Sequence, residues 1–290
     1  MLPQGDNAIF KESSFFTRHS SLPSPADVLA AAQEQDPERS QYRWRPPPVT
    51  FKTFGLLVKY GTAITNAEGQ CLWAVRRLLK ESIPVPEVYG WQREGDMMFI
   101  YMELMHGVTL EERYPTLSPA EKFAIAHQLK GVTAALRCLR QDPADPFVGH
   151  IGRQPLQDVL FETDPNAGPF PSITALLDYF ADFATPPAVK GTIPLASYRY
   201  ELPDDGPITF THGDLHRRNI MVTAPGDGDI RLVAIVDWHQ SGWLPPFWEW
   251  CKAYWCIPMQ GDDWTEYLPI FLEPFEAFPY WSYFGLCIGM

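Results

Sequence analysis

Several things are scarce in this sequence of 290 residues, and each scarcity excludes something. No stretch is apolar for long enough to cross a bilayer. The longest late run, 278–290, is interrupted and falls short of the ~18 residues a span requires. The N-terminus lacks the apolar core of a secretory signal, so a cytoplasmic location is expected and no membrane partner is. Basic residues are few: 23 Lys and Arg stand against 35 Asp and Glu, a formal net charge of −12. That balance argues against a nucleic-acid partner, since binding a polyanion rests on a basic surface. It is compatible with a cationic small molecule. The five cysteines, 71, 138, 251, 256 and 287, are odd in number and scattered. They form neither a disulfide framework nor a zinc spacing, which fits a reducing compartment. No internal repeat or low-complexity segment is visible. What is abundant is apolar and aromatic: 46% hydrophobic, 14% aromatic, 10 Trp, with 29 Pro. Such a chain buries one large core or two modest lobes joined by many loops.

One stretch concentrates chemistry. Phe210-Thr211-His212-Gly213-Asp214-Leu215-His216-Arg217-Arg218-Asn219-Ile220 sets an acid and an amide five residues apart inside a short polar loop. Apolar residues 220–222 follow, then a Pro/Gly/Asp turn at 224–229 and a strand-like run, 230–236, ending in Asp237-Trp238. Two apolar runs joined by such a turn predict a hairpin. A hairpin returns the chain to its start, so Asn219 at the entrance and Asp237 at the exit become neighbours. Asp214, Asn219 and Asp237 then form one oxygen-rich cluster. Hard divalent cations such as Mg2+ take oxygen ligands, commonly a carboxylate or two plus substrate phosphates. Phosphoryl transfer further needs a group that accepts the nucleophile's proton. Two other readings attach to the same residues. His212, Asp214 and His216 have the types that ligate zinc in a metal-dependent hydrolase, and Asp-Gly and Asn are ordinary turn formers.

The stretch resembles the catalytic loop of the aminoglycoside phosphotransferase family, His-Gly-Asp-(four residues)-Asn with a further Asp on the following strand, and the sequence style is that of fungal members. The resemblance spans roughly 49–265 and is strongest over 208–255. It implies an α+β, two-lobed protein-kinase-like fold with a small β-rich N-lobe and a larger, mainly helical C-lobe. It implies ATP and Mg2+ as cofactors and a small-molecule hydroxyl as acceptor, with Asp214 as base and Asn219 and Asp237 on the metal. Asp237-Trp238-His239 stands where protein kinases carry Asp-Phe-Gly. In the N-lobe, Lys59 ends a strand, 49–60, and matches the phosphate-binding lysine. Glu68 lies where the resemblance expects that lysine's ion-pair partner, although it also suits a capping box with Thr65. Under the resemblance Glu103 to Gly107, with Glu103 and Met105, would form the nucleotide-binding hinge; a strand leaving the sheet fits the same residues. One departure stands out. Kinases cover the phosphates with a glycine-rich loop before the lysine, but between Ser40 and Lys59 the only glycine is Gly55, and Pro46-Pro47-Pro48 remove N–H donors there.

Around these motifs the pattern gives a leader over 1–48 with a short capped helix at 24–35, an N-lobe over 49–105 and a C-lobe over 106–290. Helices are expected at 65–80, 118–140 and 173–184, the first on an apolar stripe and the second on a Ser118/Glu121 capping box. Met97 to Met102 is a strand, 83–90 a linker, 141–172 a loop with little core, and 185–207 a loop again. Gly242 to Trp255 reads as an aromatic helix, with Trp248, Cys251 and Trp255 at core spacing and Glu249 either bracing the catalytic loop or stabilising a helix start. Asp262, Asp263 and Glu266 are acids that could meet a cation or face solvent. The function expected is ATP-dependent phosphotransfer to a small-molecule hydroxyl. The alternatives are a catalytically degraded nucleotide-binding protein and the hydrolase.

Overall fold

The computed structural model describes residues 2–162, 164, 166–186, 197–258 and 262–289. Its fold is the α+β, two-lobed kinase-like one. The N-lobe sheet has five antiparallel strands in the order β1-β4-β5-β3-β2: β1 Ala8–Ile9, β2 Val49–Phe51, β3 Leu56–Gly61, β4 Val88–Glu94 and β5 Met97–Glu103. Strand periodicity divides its residues between two faces. Leu56, Val58 and Tyr60 of β3 join Phe99 and Tyr101 of β5 in a core with Phe15, Val28 and Ala32 of the leader. Leu57 of β3 turns instead to the main core, with Met98, Ile100 and Met102 of β5 and helix α2, Asn66–Leu79. Lys59 shares that face with Leu57 and leaves the sheet towards α2.

The leader is thus part of the packing. Its helix α1, Pro25–Gln35, has the capping box expected of Ser24 and Asp27, and β1 adds an edge strand unsignalled by the sequence pattern. The expected linker 83–90 is corrected at its end, because Val88, Tyr89 and Gly90 open β4. Pro84 and Pro86 suggest irregular chain, but Gly90 marks a close approach rather than a turn: a Cβ there would lie 2.6 Å from Ala8 O in β1.

In the C-lobe β6, Val108–Thr109, leads to α3, Leu110–Arg113, and α4, Pro119–Leu136, which opens on the Ser118/Glu121 capping box. Residues 141–172 are irregular but not poor in core: Phe147, Val148, Ile151, Leu156, Leu160 and Phe161 are buried in them. Gly and Pro there break regular elements without removing the apolar side chains that fill the lobe. Helix α5, Ile173–Phe183, follows. Of the expected loop 185–207, residues 187–196 lie outside the described residues, and a 3-10 turn occupies Ser197–Glu201. Strand β7, Thr209–Thr211, precedes the polar loop. The hairpin forms as β8, Ile220–Val222, and β9, Leu232–Ile235, with Ile220 opposite Ile235. The aromatic segment is corrected in its first part. Gly242–Leu244 is a strand, β10, paired with β7, and the helix α6 spans only Trp248–Trp255. Helices α7, Trp264–Phe271, and α8, Phe278–Ile288, close the lobe, α7 against α4 and α8 against α6. Trp248 and Cys251 are fully buried. No helix among the described residues is long and apolar enough to cross a membrane.

Candidate active site

The polar loop is held from below by Glu249. Its Oε2 accepts from His212 N at 2.6 Å, and its Oε1 from Gly213 N at 3.1 Å. Of the two roles open to Glu249, it has the bracing one. Burial raises its pKa to about 7, against the pull of those two N–H donors. Gly213 has φ +76°, and a Cβ there would meet Gln240 O at 2.4 Å, so the chain turns here only with glycine.

His212 is buried, which lowers its pKa to about 4. Its Nδ1 accepts from Asp214 N at 3.2 Å, so Nε2 carries the proton and donates to Val236 O at 3.0 Å. Both ring nitrogens are engaged by backbone, leaving none for a metal. Among the described residues no three His, Cys, Asp or Glu side chains converge as a metal site. The zinc-hydrolase alternative therefore lacks its first ligand.

Asp214, Asn219 and Asp237 come together as the hairpin requires. Asn219 Nδ2 donates to Asp214 O and to Asp214 Oδ2, both at 2.9 Å. Val236 N donates to Asn219 O at 2.9 Å, which sets Asp237 beside the loop. His216 Nε2 is 3.5 Å from Asp214 Oδ2. Burial works to raise the pKa of Asp214, but His216, Lys252 and His212 together outweigh it and the net shift is downward. Asp237 has left-handed backbone angles, φ 64° and ψ 65°, uncommon for a residue with a side chain.

Lys59 completes the constellation across 178 residues of sequence. Its Nζ lies 2.6 Å from Glu68 Oε1 and 2.6 Å from Asp237 Oδ1. Burial disfavours the ammonium, yet the two carboxylates raise its pKa overall. Asp237 is correspondingly held well below the usual carboxylate range, Lys59 and His239 overcoming the effect of burial. Glu68 makes the ion pair and not the capping box, since Thr65 has no side-chain capping bond. Its other oxygen, Oε2, is buried and has no hydrogen-bond partner among the described residues.

The remaining expected residues sit apart. Glu103 ends β5, with its carboxylate accepting from Glu87 N at 3.1 Å, and Met105 is half-buried in the connection to β6. Asp262 and Asp263 are already engaged, by Arg217 (2.5 Å) and Lys122 (2.7 Å). Three contributors escaped the sequence reading. His239 bonds Asp237 Oδ1 at 2.9 Å. A buried Lys252 bonds Asp158 at 2.6 Å and Gln240 at 2.9 Å, tying α6 to the segment after Asp237. Trp44 Nε1 reaches Glu162 at 3.1 Å, joining the leader to the C-lobe. Only the spacing of Asp237 and His239 offered a local signal. Lys252 and Asp158 lie 94 residues apart, and Trp44 and Glu162 lie 118 apart.

The donor set fits Mg2+. Lys59 and His239 both use Asp237 Oδ1 and the Asn219 amide hydrogens face Asp214, so no described donor reaches Asp237 Oδ2 or Asn219 Oδ1. One carboxylate and one amide oxygen, with phosphates to complete the shell, suit that ion.

Residues 68–275 match the phosphotransferase enzyme family (APH). The chain belongs to this family. The match begins nine residues beyond Lys59, so the β3 lysine and the leader lie outside it. No curated protein sequence matches the chain. Among solved structures, aminoglycoside phosphotransferase APH(3'')-Id from Streptomyces rimosus, in complex with ADP and streptomycin, is 12% identical, with 93% of this chain and 100% of that chain covered at a TM-score of 0.52. Aminoglycoside phosphotransferase APH(4)-Ia is 14% identical, with 83% and 79% covered at 0.51. The apo form of a thermostable APH(4)-Ia mutant is 16% identical at 0.48, and this chain spans 66% of it, just under two thirds. At these identities the likeness to the first two is one of fold, and it places this APH-family chain among kinase-like folds.

Proposed function

We propose that this chain transfers the γ-phosphoryl group of ATP to a hydroxyl of a small molecule. The observation that carries the reading is the Lys59 ammonium held between Glu68 and Asp237, with the Asp214/Asn219 loop beside Asp237. Catalysis of this kind is mostly positioning and charge neutralisation. Lys59 would hold nucleotide phosphates, and the backbone of 103–105, between Glu103 and Met105, would receive the base. Asn219 and Asp237 would hold Mg2+, which supplies neutralising charge at the phosphates. Asp214, kept ionised by its lowered pKa, would orient the acceptor hydroxyl and take its proton as the oxygen bonds to phosphorus. The bond to the bridging oxygen breaks, and its electron pair leaves with ADP.

The acceptor is read as a small hydroxylated molecule. A related fold was solved with streptomycin, and the net charge of −12 is compatible with a cation. Asp262 and Asp263, however, already neutralise Arg217 and Lys122, which leaves Glu266 as the one acid of that trio without an ion pair among the described residues.

Calorimetric titration of ATP with and without Mg2+ tests the reading. Binding should strengthen with Mg2+, and Asp237→Ala should remove the difference. Equal affinity in the two conditions would sink it. The degraded-protein alternative is favoured if Mg·ATP binds but no phosphoryl group leaves it in the presence of any hydroxylated acceptor.

A further inference from the structure

The missing glycine-rich loop leaves a physical question, namely what covers the phosphates of a nucleotide bound at Lys59. The register answers where the cover must come from. Val49 pairs with Val58, and ahead of β2 the leader continues alongside the far end of β3: Thr62 N donates to Arg43 O at 2.8 Å and Ala63 N to Trp44 O at 3.1 Å. Gly61 admits this approach, since a Cβ there would lie 2.6 Å from Trp44 O. Residues 43–48 therefore lie against the end of the strand that carries Lys59. They are fixed on both sides, by the buried Pro46 and by the Trp44–Glu162 bond to the C-lobe. Half of this segment has no backbone N–H to give a cradle, because Pro46, Pro47 and Pro48 lack one. It offers a side chain instead. Arg45 lines a cavity of about 120 Å3 together with Lys59, Glu68 and Asp237. It also lines the neighbouring cavity of about 550 Å3, with Trp44, Thr65 and His239. Among the described residues no acid pairs with Arg45, whereas Arg43 on the outer side is taken by Asp96.

We infer that Arg45 is the phosphate clamp of this chain, its guanidinium taking over on the nucleotide's phosphates the work of the absent glycine loop. A guanidinium suits the role because its planar fork of N–H donors bonds phosphate oxygens bidentately. The inference rests on the nucleotide reading above and goes beyond it, since it makes the leader part of the binding site.

The experiment is calorimetry of Mg·ATP and of adenosine against the full chain, Arg45→Gln, Arg45→Lys and, as a surface control, Arg43→Gln. Arg45→Gln should weaken Mg·ATP by about 10–100-fold, as for lost charge-assisted hydrogen bonds. Adenosine affinity and the thermal midpoint should stay at parent values, and Arg45→Lys should recover part of the loss. Arg43→Gln should match the parent for both ligands. Parent-like Mg·ATP binding by Arg45→Gln overturns the clamp while leaving the nucleotide reading intact. An equal loss for adenosine also overturns it, because the effect is then structural. A parent protein that binds adenosine but not Mg·ATP, or neither, overturns the nucleotide reading and the clamp with it.

Discussion

The loop from His212 to Asp237 and the leader over residues 1–48 meet the same lysine-centred cluster, yet they are put together in opposite ways. The loop is local. Its inner bonds join residues two to five apart, as in Asn219 to Asp214 or His239 to Asp237, and a hairpin with a register shift at Met221/Val222 closes it, while Glu249 and Lys59 reach it from outside. The leader is remote. Trp44 bonds Glu162, Trp91 Nε1 donates to Gly5 O, and Ala8 pairs with Trp91. Short closures bring their groups together at small entropic cost, and longer ones need other packing to hold them. In the leader that packing is the second core, where Phe15, Val28 and Ala32 cover the outer face of the sheet. The candidate site residues Asp214, Asn219 and Asp237 lie where the chain closes on itself locally, and the long-range segment lines the space beside Lys59 and Asp237.

Substitutions on each side sharpen that contrast. The largest effect is expected at Asp237, where loop and lobe meet. Asp237→Ala removes a carboxylate from both Lys59 and the candidate Mg2+ site, and turnover should fall by about 10³-fold, the several kcal/mol of a positioned metal. Mg·ATP affinity should fall with it in the same titration. A variant that lost turnover but kept Mg2+-strengthened binding would separate the two roles. Next comes the brace. Glu249→Ala leaves the buried amides of His212 and Gly213 without an acceptor, a loss of about 2–4 kcal/mol read by chemical denaturation. A loss below about 1 kcal/mol, with wild-type turnover, would mean the loop holds its shape without Glu249.

The pH dependence comes third. Asp237 is held well below its ordinary value of 3.8, so the stability it contributes is complete above that value. It is lost as pH falls through the lowered one, because the unfolded chain binds the proton first. Asp237→Asn should flatten the acid limb of the denaturation midpoint below the ordinary value of 3.8. An unchanged limb would assign acid unfolding to other carboxylates. The smallest effect is expected in the leader. Trp44→Phe removes one hydrogen bond between half-exposed groups and should cost about 0.5–1 kcal/mol. A much larger loss would make the leader as integral to the fold as the loop is.

How much was legible follows the same division. The hairpin could be read because a Pro/Gly/Asp turn lies between two apolar runs, and Asn219 and Asp237 had to meet once it closed. Lys59 could be read because it ends an apolar strand, where an amine calls for anionic partners, and because it matches the family's phosphate-binding lysine. Strand β4 was hidden by Pro84 and Pro86, and β10 by a run of aromatics that reads equally well as helix. Lys252, buried at the end of a salt bridge to Asp158, carries no local sign of its partner 94 residues away. The segment 141–172 has the composition of a loop and the burial of a core, because a single 3-10 turn, Val159–Phe161, is enough to pack Phe161 and Leu160 against α6 and α8.

The most direct measurement is transfer of label from γ-labelled ATP to a panel of hydroxylated small molecules, by the parent and by Asp214→Asn. The expected result is Mg2+-dependent labelling of an acceptor by the parent, reduced about 10²–10⁴-fold in Asp214→Asn, with the two proteins binding ATP equally. Labelling at the same rate by both would contradict the assignment of Asp214, and ATP bound without transfer by the parent would contradict the proposed activity itself.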